Sequence, residues 1–180
     1  MTISHDSDGW RDIVNLAVLE RWMDERGLAS GPIHSVAPLG GGTQNILLRF
    51  ERGDESFVLR RPPRNKRAES DTVMRREMRV LAALAGTAVP HPQLIAGEED
   101  AGPLGAAFYL MRPVDGFNPA VAMPEPHRSR PDWRRAMGEV LVDGIVALAA
   151  IDPDKAGLGD FGKREGWLER QVPRWRGQLE

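Results

Sequence analysis

Apolar residues recur at helical spacing in four segments of the chain. Side chains three and four positions apart lie on one face of a helix, so this pattern predicts amphipathic helices. Gly27 and Gly86 directly follow the first two segments, and glycine at that position commonly ends a helix. The predicted helices span residues 10–26, 71–85, 132–150 and 164–179.

Five shorter runs have the composition of β-strands. A polar turn that contains Gly53 separates the second run from the third, which predicts an antiparallel hairpin. Pro62 and Pro63 end the third run, because proline has no backbone N–H to donate to a neighbouring strand. The predicted strands span residues 33–37, 46–50, 56–61, 93–96 and 107–111.

The order of these elements is typical of an α+β fold with two unequal parts. Residues 112–131 are rich in proline and lack periodicity, which favours a linker between the strands and the last two helices. We therefore expect an N-terminal helix within residues 1–30, a strand-containing lobe over 31–116, and a linker followed by helices over 117–180.

Composition and charge exclude several classes of function. The chain has no cysteine, which excludes disulfides and thiolate chemistry, and its four histidines are too scattered to form a metal-binding motif. A net charge of −2 gives no reason to expect binding to nucleic acid or to a membrane. No apolar run approaches the length of a membrane span and residues 1–10 do not resemble a signal peptide, so we expect a soluble, cytoplasmic protein.

A run of three glycines, Gly40 to Gly42, lies between two predicted strands. Rossmann and P-loop motifs both need a helix after the glycines, so neither explains this run. Glycines between two strands can fold over a nucleotide, because without a Cβ their backbone N–H groups approach phosphate oxygens closely. An ordinary tight hairpin is the alternative, and the run alone does not decide between them.

A cation on the next strand and a carboxylate on the next helix strengthen the nucleotide hypothesis. In kinase-like lobes a cation on the third strand holds the phosphates of ATP, and a helical glutamate orients that cation. Arg60 and Glu77 occupy these positions here. In the alternative interpretation, Arg60 belongs to a solvated edge and Glu77 pairs with arginines of its own helix, namely Arg75, Arg76 or Arg79.

A buried strand that runs into the linker supplies a third candidate feature. Residues 111–114 can present backbone groups to adenine, with the carbonyl of Arg112 as acceptor and the N–H of Val114 as donor. Pro113 has no N–H, but this arrangement does not need one. The alternative is simply a strand followed by a turn.

Together these segments resemble the aminoglycoside phosphotransferase (choline-kinase-like) family. A later part of the chain is similar to one subgroup, which includes the kinase-like domains of acyl-CoA dehydrogenase family members 10 and 11. The motifs that carry the resemblance are, in order, Leu39-Gly40-Gly41-Gly42-Thr43-Gln44-Asn45, Phe57-Val58-Leu59-Arg60-Arg61-Pro62-Pro63, Arg76-Glu77-Met78-Arg79-Val80-Leu81, Val89-Pro90-His91-Pro92, Ala149-Ala150-Ile151-Asp152-Pro153, Gly157-Leu158-Gly159-Asp160-Phe161-Gly162 and Gln171-Val172-Pro173-Arg174-Trp175.

The resemblance implies a protein-kinase-like N-terminal lobe, with a five-stranded antiparallel sheet and one helix, followed by the first helices of a truncated, helix-rich second lobe. It also implies a phosphotransferase that uses ATP and magnesium to modify a small-molecule hydroxyl, and an acyl-CoA thioester is one candidate substrate. By position, Gly41, Gly42, Thr43, Gln44 and Asn45 would cover the phosphates, Arg60 would hold them, Glu77 would brace Arg60, and Met111, Arg112 and Val114 would frame adenine. Arginine at position 60 departs from the broad kinase pattern, which has lysine at this position.

The family's catalytic loop, His-Gly-Asp followed by asparagine, does not occur in the chain. Asp160-Phe161-Gly162 imitates the metal-binding tripeptide of protein kinases, but it precedes the place where a catalytic loop belongs, so we interpret it as a turn. We therefore expect no kinase activity from these 180 residues, and magnesium ligands in a missing C-terminal part. A non-catalytic nucleotide-binding or interaction module is the alternative, and the incomplete second lobe is a candidate surface for self-association.

Overall fold

The fold is described from a computed structural model, which covers residues 9–40, 45–65, 68–163 and 165–179. The elements in chain order are α1 (Leu16–Asp24), β1 (Ile33–Pro38), β2 (Ile46–Arg52), β3 (Glu55–Arg61), α2 (Ser70–Leu84), β4 (Leu94–Glu98), β5 (Phe108–Met111), α3 (Pro131–Ala149) and α4 (Trp167–Leu179). The predicted α+β class and the predicted order of elements are confirmed.

The five strands form one antiparallel sheet in the order β1-β2-β3-β5-β4. The β2–β3 hairpin turns at Gly53, whose φ of 55° lies in the left-handed region that favours glycine. Within this hairpin Leu47 pairs with Arg60 and Phe50 pairs with Phe57. Successive residues of a strand face opposite sides of the sheet, so Arg60 lies on one face and the two phenylalanines on the other.

The face that carries the phenylalanines packs against α1 and forms the larger hydrophobic core. Phe50 and Phe57 stack with their ring centroids 5.5 Å apart, and Trp22 of α1 meets Phe108 of β5 at 4.8 Å. Because α1 supplies Leu19, Trp22 and Met23 to this core, it is part of the same folded unit as the sheet.

The opposite face packs against α2 through a smaller cluster in which Met74 and Met78 meet Ala107 and Tyr109. Gly97 of β4 lies beneath Met78. A Cβ at position 97 would overlap Met78 Sδ and would lie 3.2 Å from Tyr109 Cβ. The missing side chain therefore lets α2 lie close to the sheet.

Two helix boundaries differ from the sequence-based prediction. The first helix was predicted from residue 10, but α1 begins at Leu16 because Asn15 accepts a hydrogen bond from Val18 N and acts as its N-cap. The last helix was predicted from residue 164, but α4 begins at Trp167, after Gly166 with a φ of 60°. The remaining predicted helices and strands agree with the structure to within about two residues.

α3 and α4 are the helices most exposed to solvent. Apolar residues of α3, among them Val140, Leu141 and Ile145, are exposed. None of the helices in the described ranges is both long enough and apolar enough to cross a bilayer.

A buried arginine attaches α1 to the sheet. Arg52, at the end of β2, is only 2% exposed. Its guanidinium donates to the carbonyls of Glu20 and Leu28, both at 3.2 Å, and of Gly31 at 2.8 Å, and it pairs with the Asp24 carboxylate. A positive charge beside the C-terminal carbonyls of a helix also interacts favourably with the helix dipole.

We expect Arg52→Met to lower the free energy of unfolding by about 2–4 kcal/mol, because it leaves several partly buried carbonyls without a donor. Urea denaturation followed by circular dichroism measures this change. Arg130→Met is the matched control, since the side chain of Arg130 pairs with Asp132 on the exposed surface, and it should change stability by less than about 0.5 kcal/mol. Equal losses in the two variants would show that the Arg52 contacts do not stabilise the fold.

Candidate functional site

The glycine run joins β1 to β2 at the end of the sheet that carries Arg60. Leu39 N donates to Leu47 O at 2.9 Å, and Leu47 lies directly opposite Arg60 on β3. Gly41, Gly42, Thr43 and Gln44 lie outside the described residues, and Asn45 comes directly before β2. The flanking strands thus place the described residues on either side of this segment, Leu39 and Asn45, at the end of the sheet that carries Arg60. Contact of the segment with phosphates stays a prediction.

Arg60 and Glu77 form a two-pronged ion pair between β3 and α2. Arg60 Nε donates to Glu77 Oε2 and Arg60 Nη2 donates to Glu77 Oε1, both at 2.8 Å. The two side chains are 25% and 29% exposed, so water screens the pair less than a surface ion pair. Two parallel bonds fix the plane of the guanidinium as well as its position.

The helix arginines considered as alternative partners of Glu77 all have contacts elsewhere. Arg75 donates to Glu99 O at 2.7 Å, Arg76 donates to Phe161 O at 2.8 Å, and Arg79 pairs with Asp160. The interpretation of Glu77 as a partner of its own helix is therefore wrong, and its carboxylate is directed to the strand.

Tyr109 of β5 completes the polar group. Its hydroxyl donates to Glu77 Oε2 at 3.1 Å, and the residue lies opposite Arg60 in the β3–β5 pairing. Burial, followed by the charge of Glu77, raises the pKa of the Tyr109 hydroxyl well above its usual value, so it remains a neutral donor. The hydrogen bond with Glu77 raises the pKa of Arg60 against the opposing effect of burial, so Arg60 remains charged.

These polar groups border a cavity of about 490 Å³ between α2 and the sheet. One end carries the guanidinium, the carboxylate and the phenol, and the remaining wall is mostly apolar. The lining residues are Arg60, Val73, Arg76, Glu77, Val80, Leu81, Pro92, Tyr109, Met111 and Phe161. A fixed cation at the edge of a largely apolar cavity suits a ligand that combines an anionic group with a flat apolar part.

Of the residues predicted to frame adenine, only Met111 lines this cavity. Arg112 lies past the end of β5, where its N–H donates to Gln93 O at 2.9 Å and its side chain pairs with Glu55 at 2.5 Å. Val114 follows with a side chain that is 70% exposed. Backbone contacts from Arg112 and Val114 to adenine stay a prediction.

The sequence-based interpretation did not assign several residues that border the site, among them Tyr109 and Phe161. Tyr109 could have been found, because antiparallel pairing of β3 with β5 puts it beside Arg60. Phe161 belongs to the Asp160-Phe161-Gly162 segment, which we interpreted as a simple turn. That interpretation is incomplete, because Asp160 forms an ion pair with Arg79 and Phe161 enters the lining of the cavity.

The described residues fit a nucleotide better than they fit a metal ion. Arg60, braced by Glu77 beside the cavity, has the charge and donor geometry for phosphate oxygens. In contrast, no group of three or more His, Asp or Glu side chains in the described ranges could hold a metal ion.

An antiparallel sheet whose third strand carries a cation bound to a helical glutamate is the arrangement of kinase-like nucleotide-binding lobes. The chain belongs to the phosphotransferase enzyme family, whose model matches residues 35–180.

Known proteins agree with this assignment. The chain is 31% identical over 145 residues to "Probable acyl-CoA dehydrogenase IBR3" of Arabidopsis thaliana and 30% identical over 153 residues to "Acyl-CoA dehydrogenase family member 10" of Mus musculus. It aligns with the crystal structure of an aminoglycoside phosphotransferase-like protein of Ralstonia eutropha with a TM-score of 0.72 and 31% identity. The resemblance stated from the sequence is thus confirmed.

The similarity covers most of this chain but a minor part of each relative. It extends over 78% and 81% of this chain, yet over only 17% of the plant protein and 14% of the mouse protein. For the bacterial structure the shares are 91% and 46%.

We expect Tyr109, the only tyrosine in the chain, to titrate above its ordinary pKa of about 10, and Glu77→Gln to lower that pKa. A nearby carboxylate disfavours the phenolate, so replacing it with a neutral amide removes that opposition while Arg60 remains. Phenolate absorbance measures the titration, and circular dichroism confirms that the protein stays folded.

Glu55→Gln is the control for this titration, because Glu55 pairs with Arg112 rather than with the tyrosine. It should leave the pKa of Tyr109 unchanged. Identical titrations of Glu77→Gln and the parent protein would contradict the described contact between Glu77 and Tyr109.

Proposed function

We propose that this chain forms the ATP-binding lobe of a phosphotransferase that acts on a small-molecule hydroxyl. The single observation that carries the proposal is the Arg60–Glu77 pair beside the cavity. The pairing of β1 with β2 supports it, because the two strands that the glycine-containing segment connects meet at the end of the sheet that carries Arg60.

In this proposal each residue has a separate task. ATP supplies the phosphoryl group when it is bound. Arg60 holds the phosphates, Glu77 keeps the guanidinium in position, and Tyr109 fixes Glu77 by donating to Glu77 Oε2. Residues 41–45 cover the phosphates, and residues 111–114 hold adenine. Arginine offers a planar fork of donors where lysine would offer a single ammonium, which suits two phosphate oxygens at once.

Family membership and the names of the relatives guide the choice of acceptor. The plant and mouse relatives are named for acyl-CoA dehydrogenases, so a hydroxyacyl-CoA thioester is the first acceptor class to test. Basic residues of segment 60–67, among them the exposed Arg64, are candidates to meet its phosphates. Aminoglycosides are the second class, suggested by the likeness to the bacterial structure.

One observation favours a second candidate function, a module that binds another copy of itself. Val140, Leu141 and Ile145 of α3 are each more than half exposed, and they line a groove of about 720 Å³. Exposed apolar surface of this kind marks interaction sites. In this alternative the nucleotide lobe is a scaffold and α3 forms the interface.

We expect the chain to bind Mg–ATP and Arg60→Ala to weaken that binding about 10- to 100-fold, as expected for loss of a hydrogen bond from a charged donor. The unpaired Glu77 would also repel the phosphates. Isothermal titration calorimetry measures the affinity, and Arg60→Lys should lose less because it keeps the charge without the fork.

Arg130→Ala is the matched control for ATP binding, since Arg130 pairs with Asp132 at the start of α3. It should bind Mg–ATP as the parent protein does. Negligible binding by both the parent and Arg60→Ala would refute the nucleotide site, and a dimer detected by light scattering in that case would support the interaction module.

We also expect these 180 residues to bind Mg–ATP without transferring phosphate, because the sequence contains no His-Gly-Asp loop to act on the accepting hydroxyl. Incubation with a hydroxyacyl-CoA or an aminoglycoside, followed by mass spectrometry, tests for a phosphate ester. Sustained, magnesium-dependent phosphorylation would overturn this expectation and would require a base elsewhere in the chain.

A further inference from the structure

The loop between α3 and α4 folds back onto α2. Its backbone is internally bonded, with Leu158 N donating to Pro153 O at 2.7 Å and Phe161 N donating to Leu158 O at 2.9 Å. Asp152 Oδ1 also accepts from Asp154 N at 3.0 Å. These bonds give residues 157–161 a defined shape before any contact with the helix is considered.

Arg79 of α2 makes the first contact with this loop. Its guanidinium pairs with both carboxylate oxygens of Asp160, with an Nη1–Oδ2 distance of 3.1 Å, and also donates to the carbonyl of Gly157. The hydrogen bond with Asp160 raises the pKa of Arg79, and the same bond lowers the pKa of Asp160. Both groups are therefore charged in the neutral pH range.

Arg76 makes the second contact, one residue before Glu77 in the sequence. Its Nη2 donates to Phe161 O at 2.8 Å, and its guanidinium carbon lies 4.3 Å from the centroid of the Phe161 ring. A guanidinium stacked over an aromatic ring adds a cation–π attraction to the hydrogen bond. Phe161 in turn borders the cavity that contains Arg60 and Glu77.

These contacts involve the face of α2 that does not pack against the sheet. Met74 and Met78 attach the helix to the sheet, whereas Arg76 and Arg79 attach it to the loop. Glu77 lies in the sequence between the two loop-binding arginines. A shift or rotation of α2 by one ångström or so would break the 2.8 Å bonds from Glu77 to Arg60.

We propose that residues 157–161 form a positioning clamp that holds α2 where Glu77 braces Arg60. Arg79 and Asp160 are then positioning residues, which act on phosphate binding through Glu77 and Arg60. This proposal rests on the proposed nucleotide site for its functional meaning, but its structural part can be tested without a nucleotide. An exposed ion pair alone contributes little to stability, so the expected effect is on the geometry of the site rather than on unfolding.

The single tyrosine gives a direct readout of that geometry. When 3-fluorotyrosine replaces tyrosine, the protein carries one fluorine label, on the ring that donates to Glu77. We expect Asp160→Asn to shift or broaden this resonance and to speed amide hydrogen exchange in α2. Because mutations that act through another residue typically change coupling modestly, we expect Mg–ATP affinity to fall about 3- to 10-fold.

Two further variants separate positioning from general damage. Asp160→Glu keeps the charge and should restore most of the parent resonance and affinity. Asp132→Asn removes an exposed carboxylate that pairs with Arg130, far along the chain from α2, and should leave all three measurements unchanged. Thermal denaturation checks that each variant is folded.

The outcomes distinguish the two proposals. If Asp160→Asn leaves both the fluorine resonance and the exchange of α2 unchanged, the clamp is refuted, whatever the ATP affinity. If the resonance and exchange change, Asp160→Glu restores them, and the parent protein does not bind Mg–ATP, the positioning role stands and the nucleotide site is refuted. If affinity falls in Asp160→Asn and returns in Asp160→Glu together with the resonance, both proposals are supported.

Discussion

The bond between a strand arginine and a helix glutamate is the constraint on which the site depends. Arg60 belongs to the sheet and Glu77 to α2, so their pairing fixes the distance and the angle between these two elements. A half-buried guanidinium needs an anionic partner to offset the loss of water around it. The pair therefore has two roles. It keeps a cation at the edge of the cavity, and it holds the helix against the sheet.

A second arginine has a comparable task on the other face of the sheet. Arg52 ends β2 and binds the Glu20 carbonyl within α1 and the Leu28 and Gly31 carbonyls after it, so that helix cannot shift along the core without breaking several bonds. Arg61, the neighbour of Arg60, is also buried and donates to Ile13 O at 2.6 Å, ahead of α1. Burial lowers the pKa of Arg61, so this contact carries a desolvation cost that its hydrogen bonds must offset. Two buried arginines thus attach α1 and the segment before it to the sheet.

The sequence predicted the sheet well because its signals are local. The β-prone composition of β2 and β3, the turn at Gly53 and the stop at Pro62 can each be read within a few residues. Local patterns do not predict that Arg60 pairs with Glu77. That prediction came from the family resemblance, which assigns a cation to this strand and a carboxylate to this helix. The contacts of Asp160 and Phe161 could not be predicted, because they depend on the path of a proline-rich segment without periodicity, and that path returns the chain to a helix about eighty residues earlier.

Gly97 has a consequence beyond its own strand. The space that its missing side chain leaves is occupied by the sulfur of Met78, so the two positions share one small volume under α2. Any protein that keeps this helix depth can enlarge one of the two residues only by reducing the other. A variant with alanine at 97 and a shorter aliphatic residue at 78 would therefore preserve the spacing that the single exchange at 97 disturbs, which makes the pair a natural place to adjust how deeply the helix lies.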